Sequence, residues 1–185
     1  MIEQPETWTR TKTIEIADCR VFKVREDFCK RESDGVEHSF FVIENPDWVN
    51  VVALTEDEMV VMIKQFRHGI EEIILEIPGG MIDEKESPEA AGRRELLEET
   101  GYSAREMFYL GKSRPNPALQ NNWCYHFLAL DCEQTGEAKF DEHESTVTKL
   151  LPLPAIPDLI LTGEISHSLA VAAFQYFSLQ YPRIK

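Results

Sequence analysis

From Gly79 to Tyr102 the chain reads GGMIDEKESPEAAGRRELLEETGY, and within it Glu95, Glu98 and Glu99 crowd into five positions. At 100° per residue Glu95 and Glu99 stand one helical turn apart, with Glu98 beside them, so all three carboxylates project from one face. Such like-charge pairs destabilise a bare helix by roughly a few tenths of a kcal/mol each. The carboxylates also raise one another's pKa unless a cation is near. Their hard oxygens suit Mg²⁺ or Mn²⁺, which take few carboxylates and complete their shell with water and substrate phosphate. A solvated acidic face of a surface helix would account for the glutamates alone, but not for their neighbours. Gly79 and Gly80 predict a tight backbone turn that could aim a carbonyl at a metal. Arg94 can pair with Glu98 one turn on, or with Glu86 in the loop, and fix a carboxylate's orientation.

The helix that must carry these groups has clear ends. Ser87 is a good N-cap, Pro88 fits the first helical position, and Gly101 suits the stop after Thr100. The first forty-five residues read as alternating strands, with Ile14, Ile16, Val21 and Phe22 among polar residues and a hairpin turn at Ser33–Gly35. Val- and Ile-rich strands follow on either side of a turn at Thr55–Met59, and a further short strand is predicted to end at Pro78. Beyond the helix, two strands flank a Pro/Asn-rich loop. A strand, a short helix and a longer C-terminal helix from near Ser166 close the chain.

The 185 residues, 43% of them hydrophobic, suffice for a packed domain. A net charge of -14 repels nucleic acid and anionic membranes, although a bound divalent cation can invert the local field for an anionic substrate. The N-terminus lacks the basic and apolar regions of a signal peptide, and no apolar run approaches the roughly 18 residues of a membrane span. The expected location is the cytoplasm. Cys19, Cys29, Cys124 and Cys132 form no CxxC pair, so they are expected to be buried or idle thiols.

The Gly80–Tyr102 stretch resembles the Nudix box, G-x5-E-x7-R-E-U-x-E-E-x-G-U with U a bulky apolar residue. Gly80, Glu86, Arg94, Glu95, Leu96, Glu98, Glu99, Gly101 and Tyr102 fill it in order, Tyr102 replacing the usual aliphatic. With each of seven fixed letters at roughly 5–10% frequency, a chance match in this chain is on the order of 10⁻⁶, so coincidence is set aside. EIPGG, KQFRHG and Pro117 are similar to features of the branch that cleaves ADP-ribose and other nucleoside-diphosphate sugars.

That resemblance implies an α/β fold: a mixed sheet sandwiched between helices (residues 46–185), preceded by an antiparallel N-terminal subdomain (residues 1–45) that serves dimerisation. It implies Mg²⁺-dependent hydrolysis of a pyrophosphate, with Mn²⁺ as a possible substitute. Glu95 and Glu99 become principal metal ligands, Glu98 a further ligand or water-holder, and the Gly79 carbonyl a backbone ligand. Arg94 and Glu86 are orienting groups, while Gly80 and Gly101 shape the motif. Glu142 is the expected general base and Glu144 an additional metal contact; a surface role is expected for His143. Arg67 would grip a substrate phosphate or stack on the base, and Glu76 would hold Arg67 or touch substrate. Asn121 and Asn122 are candidates for sugar hydroxyls or for turn formation, and Trp123, Phe40 and Phe41 for core packing or base stacking. The implied partners are a nucleotide sugar and a second copy of the chain, with no nucleic acid and no membrane. The alternatives are a Nudix hydrolase of a dinucleotide polyphosphate, coenzyme or oxidised nucleotide, and a non-catalytic sensing module.

Overall fold

The structure is a computed structural model that describes residues 4–139 and 145–184. The chain divides into two compact units, Met1–Pro46 with Asn116–Asn122, and Asp47–Pro115 with Trp123–Lys185. In the smaller unit, β1 (Trp8–Asp18), β2 (Lys23–Arg31) and β3 (Glu37–Glu44) form an antiparallel sheet in that order. The β2–β3 turn sits where Ser33–Gly35 predicted it. Gly35 takes φ +75° there, and Asp34 accepts from Val36 N–H and is forked by Arg31.

The larger unit holds β4 (Trp48–Leu54), β5 (Met59–Arg67), β6 (Glu72–Glu76), β7 (Gly79–Met81), α1 (Pro88–Thr100), β8 (Tyr102–Ser113), β9 (Cys124–Gln134), β10 (Thr146–Pro152), α2 (Ile156–Leu161) and α3 (Ser168–Ile184). Its sheet runs β10-β5-β4-β9-β8, with β6 on β5 and β7 on β4. The β4–β9 pair is parallel and the others are antiparallel. The central strand β4 is buried on both faces, and its side chains sort by the two-residue period of a strand. Val49, Val51 and Ala53 join Ala91 and Leu96 of α1, whereas Val52 and Leu54 join Ile156, Ala170, Ala173 and Phe174 from α2 and α3. The sheet is thus mixed and lies between helices. No helix of the described residues is long and apolar enough to cross a membrane.

Two sequence expectations change. The strand expected to end at Pro78 stops at Glu76, and beyond Pro78, which lacks the N–H a ladder needs, the chain pairs again as β7. Gly79 and Gly80 therefore make no tight turn. They pair antiparallel with Asn50 and Val49, and neither has a positive φ. Their glycine character answers to close approach: a Cβ on Gly79 would lie 2.3 Å from the Val49 carbonyl oxygen.

Helix α1 ends as its sequence predicts. Gly101 adopts φ +74° and its N–H donates to Leu97 O at 2.8 Å; a Cβ there would stand 2.4 Å from Gly136 O. Gly101→Ala should therefore lower stability by about 1–3 kcal/mol, through both the left-handed backbone and the contact with Gly136. Urea unfolding of the variant checks this, and an unchanged midpoint would contradict the cap geometry.

Candidate active site

The box helix starts at Ser87, whose Oγ accepts from Ala90 N–H at 3.2 Å, with Pro88 at the first position and Glu89 in the first turn. Gly92 lets α1 lie close on β4, since a Cβ there would press on the Val49 and Val51 methyls at 3.2–3.3 Å. This seating carries Glu95, Glu98 and Glu99 up to β7.

Arg94 is the hub. Its Nε and Nη2 fork Glu86 at 3.1 and 3.0 Å, and Nη1 donates to Glu95 at 2.8 Å and to Glu98 at 3.1 Å. Nη2 also donates to the Met81 carbonyl at 3.0 Å. Both partners open to Arg94 in the sequence are thus taken at once, with Glu95 as a third. Hydrogen bonds from Arg94 hold the Glu86 carboxyl below its ordinary range, and the same bonds raise the guanidinium further above its own.

Glu99 is only 6% exposed, and its Oε2 accepts from Gly79 N–H at 2.8 Å. Gly80 lies so close to Glu95 that a Cβ would come within 2.3 Å of the carboxylate oxygen. Glu95, Glu99 and the two glycines are therefore packed into one corner. Among the described residues no three His, Cys, Asp or Glu side chains are drawn together as a metal-holding group, because Glu95 and Glu98 are turned toward Arg94 and Glu99 toward Gly79. The hard carboxylate oxygens beside the β7 backbone are nevertheless of the kind a divalent cation takes.

The expected base, Glu142, lies outside the described residues, as do His143 and Glu144. Both flanks of that segment are fastened to the last turn of α1. Lys139 N–H donates to Glu98 O at 2.8 Å, and Thr146 Oγ donates to Glu99 O at 2.9 Å.

Arg67 and Glu76 meet as a fork, Nε to Oε1 at 2.5 Å and Nη2 to Oε2 at 2.9 Å. His167 Nδ1 reaches Oε2 at 2.8 Å. Burial pushes the Glu76 carboxyl up, but hydrogen bonds from His167 and Arg67 outweigh it and hold the pKa at about 2. Among the described residues, sequence reasoning missed His167. It also missed a buried polar chain in which Asn50 Nδ2 donates to Leu169 O (3.0 Å), Asn50 Oδ1 meets His126 Nδ1 (2.7 Å) and His126 Nε2 meets Ser113 Oγ (2.8 Å). The Asn50 oxygen can only accept, so Nδ1 carries the hydrogen and Ser113 donates to Nε2. Burial lowers the His126 pKa to about 4. The one signal available was an Asn and a His inside apolar strand runs.

Asn121 and Asn122 belong to the smaller unit, where they fasten the chain: Asn121 Oδ1 accepts from Asn45 N–H at 3.2 Å and Asn122 Nδ2 donates to Pro46 O at 3.0 Å. Phe40 and Phe41 are exposed and form no core; Phe40 packs edge-on against Trp8. Trp123 is half-buried under Arg114 at 3.6 Å and Lys112 at 4.3 Å. Cys124 and Cys132 are buried free thiols, each pushed up to about 12 by burial.

Comparison with known proteins follows the same residues. The NUDIX domain model matches residues 44–174. An ADP-ribose pyrophosphatase of Bacillus subtilis (strain 168) is 31% identical over 140 residues, 75% of this chain and 76% of its own. A protein named methanol dehydrogenase activator, from Bacillus methanolicus, is 31% identical over 170 residues, 91% of each chain. A crystal structure of an ADP compounds hydrolase superposes with a TM-score of 0.85 over 98% of both chains at 24% identity, a likeness of fold.

His126 and Glu76 both have depressed pKa values in the folded state, so each adds stability that is present at neutral pH and lost in acid. The His126 share should fade as pH falls from about 6.5 toward about 4, and the Glu76 share from about 4.5 toward about 2. Thermal melts should show Tm declining from pH 7 to 4. His126→Asn, less stable at pH 7, should lose less over that window; an identical decline would place the titration elsewhere.

Proposed function

The chain belongs to the Nudix family and is a hydrolase of the ADP-ribose and sugar-nucleotide pyrophosphatase type, and on that premise we propose its chemistry in full. It cleaves the pyrophosphate of ADP-ribose or another nucleoside-diphosphate sugar in a Mg²⁺-dependent reaction, giving a nucleoside monophosphate and a sugar phosphate. The observation that carries this reading is the Arg94 hub, which gathers Glu86, Glu95 and Glu98 beside the Glu99–Gly79 contact.

Glu95, Glu99, Glu98 and the Gly79 carbonyl would hold the cation, with Glu144 as a further contact. A divalent cation bound there supplies positive charge to phosphoryl oxygens as negative charge gathers on them. Arg94 and Glu86 keep the carboxylates oriented. Glu142 takes a proton from the attacking water, whose oxygen forms the new bond to phosphorus as the bridging P–O bond breaks. The tethers at Lys139 and Thr146 support Glu142 in this role, because they fix both flanks of its segment to the helix that carries the ligands. Arg67, aimed by Glu76, grips a phosphate. The reaction runs in the cytoplasm.

The name of the Bacillus methanolicus relative favours a second reading, action on the activity of another protein. Every box glutamate is present, which favours turnover. A panel of ADP-ribose, GDP-mannose, UDP-glucose, a diadenosine polyphosphate and a nucleoside triphosphate separates the two. Hydrolysis of one sugar nucleotide, abolished by EDTA and restored by Mg²⁺ or Mn²⁺, is expected; no turnover with any of them would reject the hydrolytic reading. Glu99→Gln should cut kcat by about 10²–10³ or more with the fold kept, as loss of a metal ligand would. Glu142→Gln should depress kcat by about 10²–10⁴ with little change in substrate binding.

The smaller unit is proposed as the dimerisation element. Trp8, Ile14, Ile16, Val21 and Phe41 are exposed on it, more apolar surface than a three-stranded sheet leaves open without a partner. Light scattering should give twice the chain mass of 21.3 kDa, and a monomer would sink this assignment.

A further inference from the structure

Glu76 ends β6 with 1% of its surface exposed, yet it is ionised and takes three contacts, two from Arg67 and one from His167. An ionised carboxylate only accepts, so His167 Nδ1 carries a hydrogen. His167 immediately precedes α3, and the start of that helix is anchored from below. The Asn50 amide donates to Leu169 O and is itself locked by His126 and Ser113. The backbone two residues after His167 is therefore tied to a buried polar chain while the imidazole meets Glu76, and no step of the hydrolysis uses it.

We propose that His167 is a positioning residue for Arg67, acting through Glu76. The inference rests on the reading that Arg67 grips a substrate phosphate. A phosphate arriving at Arg67 competes with Glu76 for the guanidinium. Were Arg67 the carboxylate's sole partner, any shift of Arg67 toward the phosphate would leave a buried charge unpaired, a costly state. His167 keeps Glu76 paired while Arg67 shares itself, so the guanidinium meets the phosphate without losing its support.

Calorimetric titration of the full chain with inorganic pyrophosphate in EDTA tests this through binding alone. Arg67→Ala should weaken binding about 10-fold or more, and His167→Ala about 3- to 10-fold. The double variant should bind within about twofold of Arg67→Ala, because His167 acts only through Arg67. His167→Asn, whose amide nitrogen falls near the place of Nδ1, should restore binding to within about twofold of the parent. Should His167→Ala not fold, His167→Gln, whose amide reaches past Glu76, gives the same contrast against His167→Asn. Unchanged binding on loss of His167, additive effects in the double variant, or no pyrophosphate binding by the parent each overturn the proposal. A coupled pair in a chain that hydrolyses nothing on the panel would sink the hydrolase reading alone. Turnover with additive variants would sink this inference alone.

Discussion

The site depends on one electrostatic constraint: three glutamates in the second half of a helix, compensated by one arginine. Glu95, Glu98 and Glu99 repel one another, and they sit toward the end of α1 where the helix dipole is negative. No basic residue occupies the last turn. Arg94 is the correction, and it serves by geometry as much as by charge. Its planar fork reaches back to Glu86 while Nη1 spans Glu95 and Glu98, so loop, helix and the end of β7 are joined through one guanidinium. A lysine would present a point charge and could not hold all of these directions at once. The residual excess of carboxylate is what a divalent cation would neutralise.

Packing makes that excess tolerable. The acidic end of α1 is fixed because its apolar side, Ala91 and Leu96, lies against Val49, Val51 and Ala53 of the central strand. The same strand pairs with Gly79 and Gly80, so β4 sets the height of both the helix and the backbone edge facing it. A side chain at either glycine would separate the two, against the Val49 carbonyl in one case and the Glu95 carboxylate in the other. The glycines are required by contact between elements rather than by local backbone conformation, which is why a turn was the wrong expectation from their spacing.

What was legible in the sequence was local. Ser87, Pro88 and Gly101 delimit α1, and the 3.6-residue repeat puts the glutamates on one face, because each of these signals acts within a turn or two of chain. The N-terminal strands and their hairpin turn were likewise readable from alternation and turn residues, whereas the mixed sheet between helices was implied by the family resemblance. Contacts between distant segments left no such trace. Glu76 and His167 meet only because β6 and the start of α3 converge, and Asn50 meets His126 across a separation of 76 residues through a parallel pairing. Aromatic type alone also misplaced Phe40 and Phe41. Adjacent strand residues point to opposite faces of the sheet, and both of these side chains stay exposed.

The end of α1 shows why a cap can be more than a cap. A helix leaves its last carbonyls without partners, and each must be satisfied from outside. Gly101 N–H takes Leu97 O, and the next two carbonyls belong to Glu98 and Glu99, the residues whose side chains form the acidic corner. Their partners are Lys139 N–H and Thr146 Oγ, which flank the segment holding Glu142 and Glu144. Satisfying the helix end and fastening Lys139 and Thr146 to it are thus one set of hydrogen bonds. The Thr146 hydroxyl is buried with the carbonyl it serves, so removing it would cost Glu99 O this partner as well as release the start of β10 from the helix end. The end of α1, Lys139 and the start of β10 are coupled through the backbone of the same two glutamates.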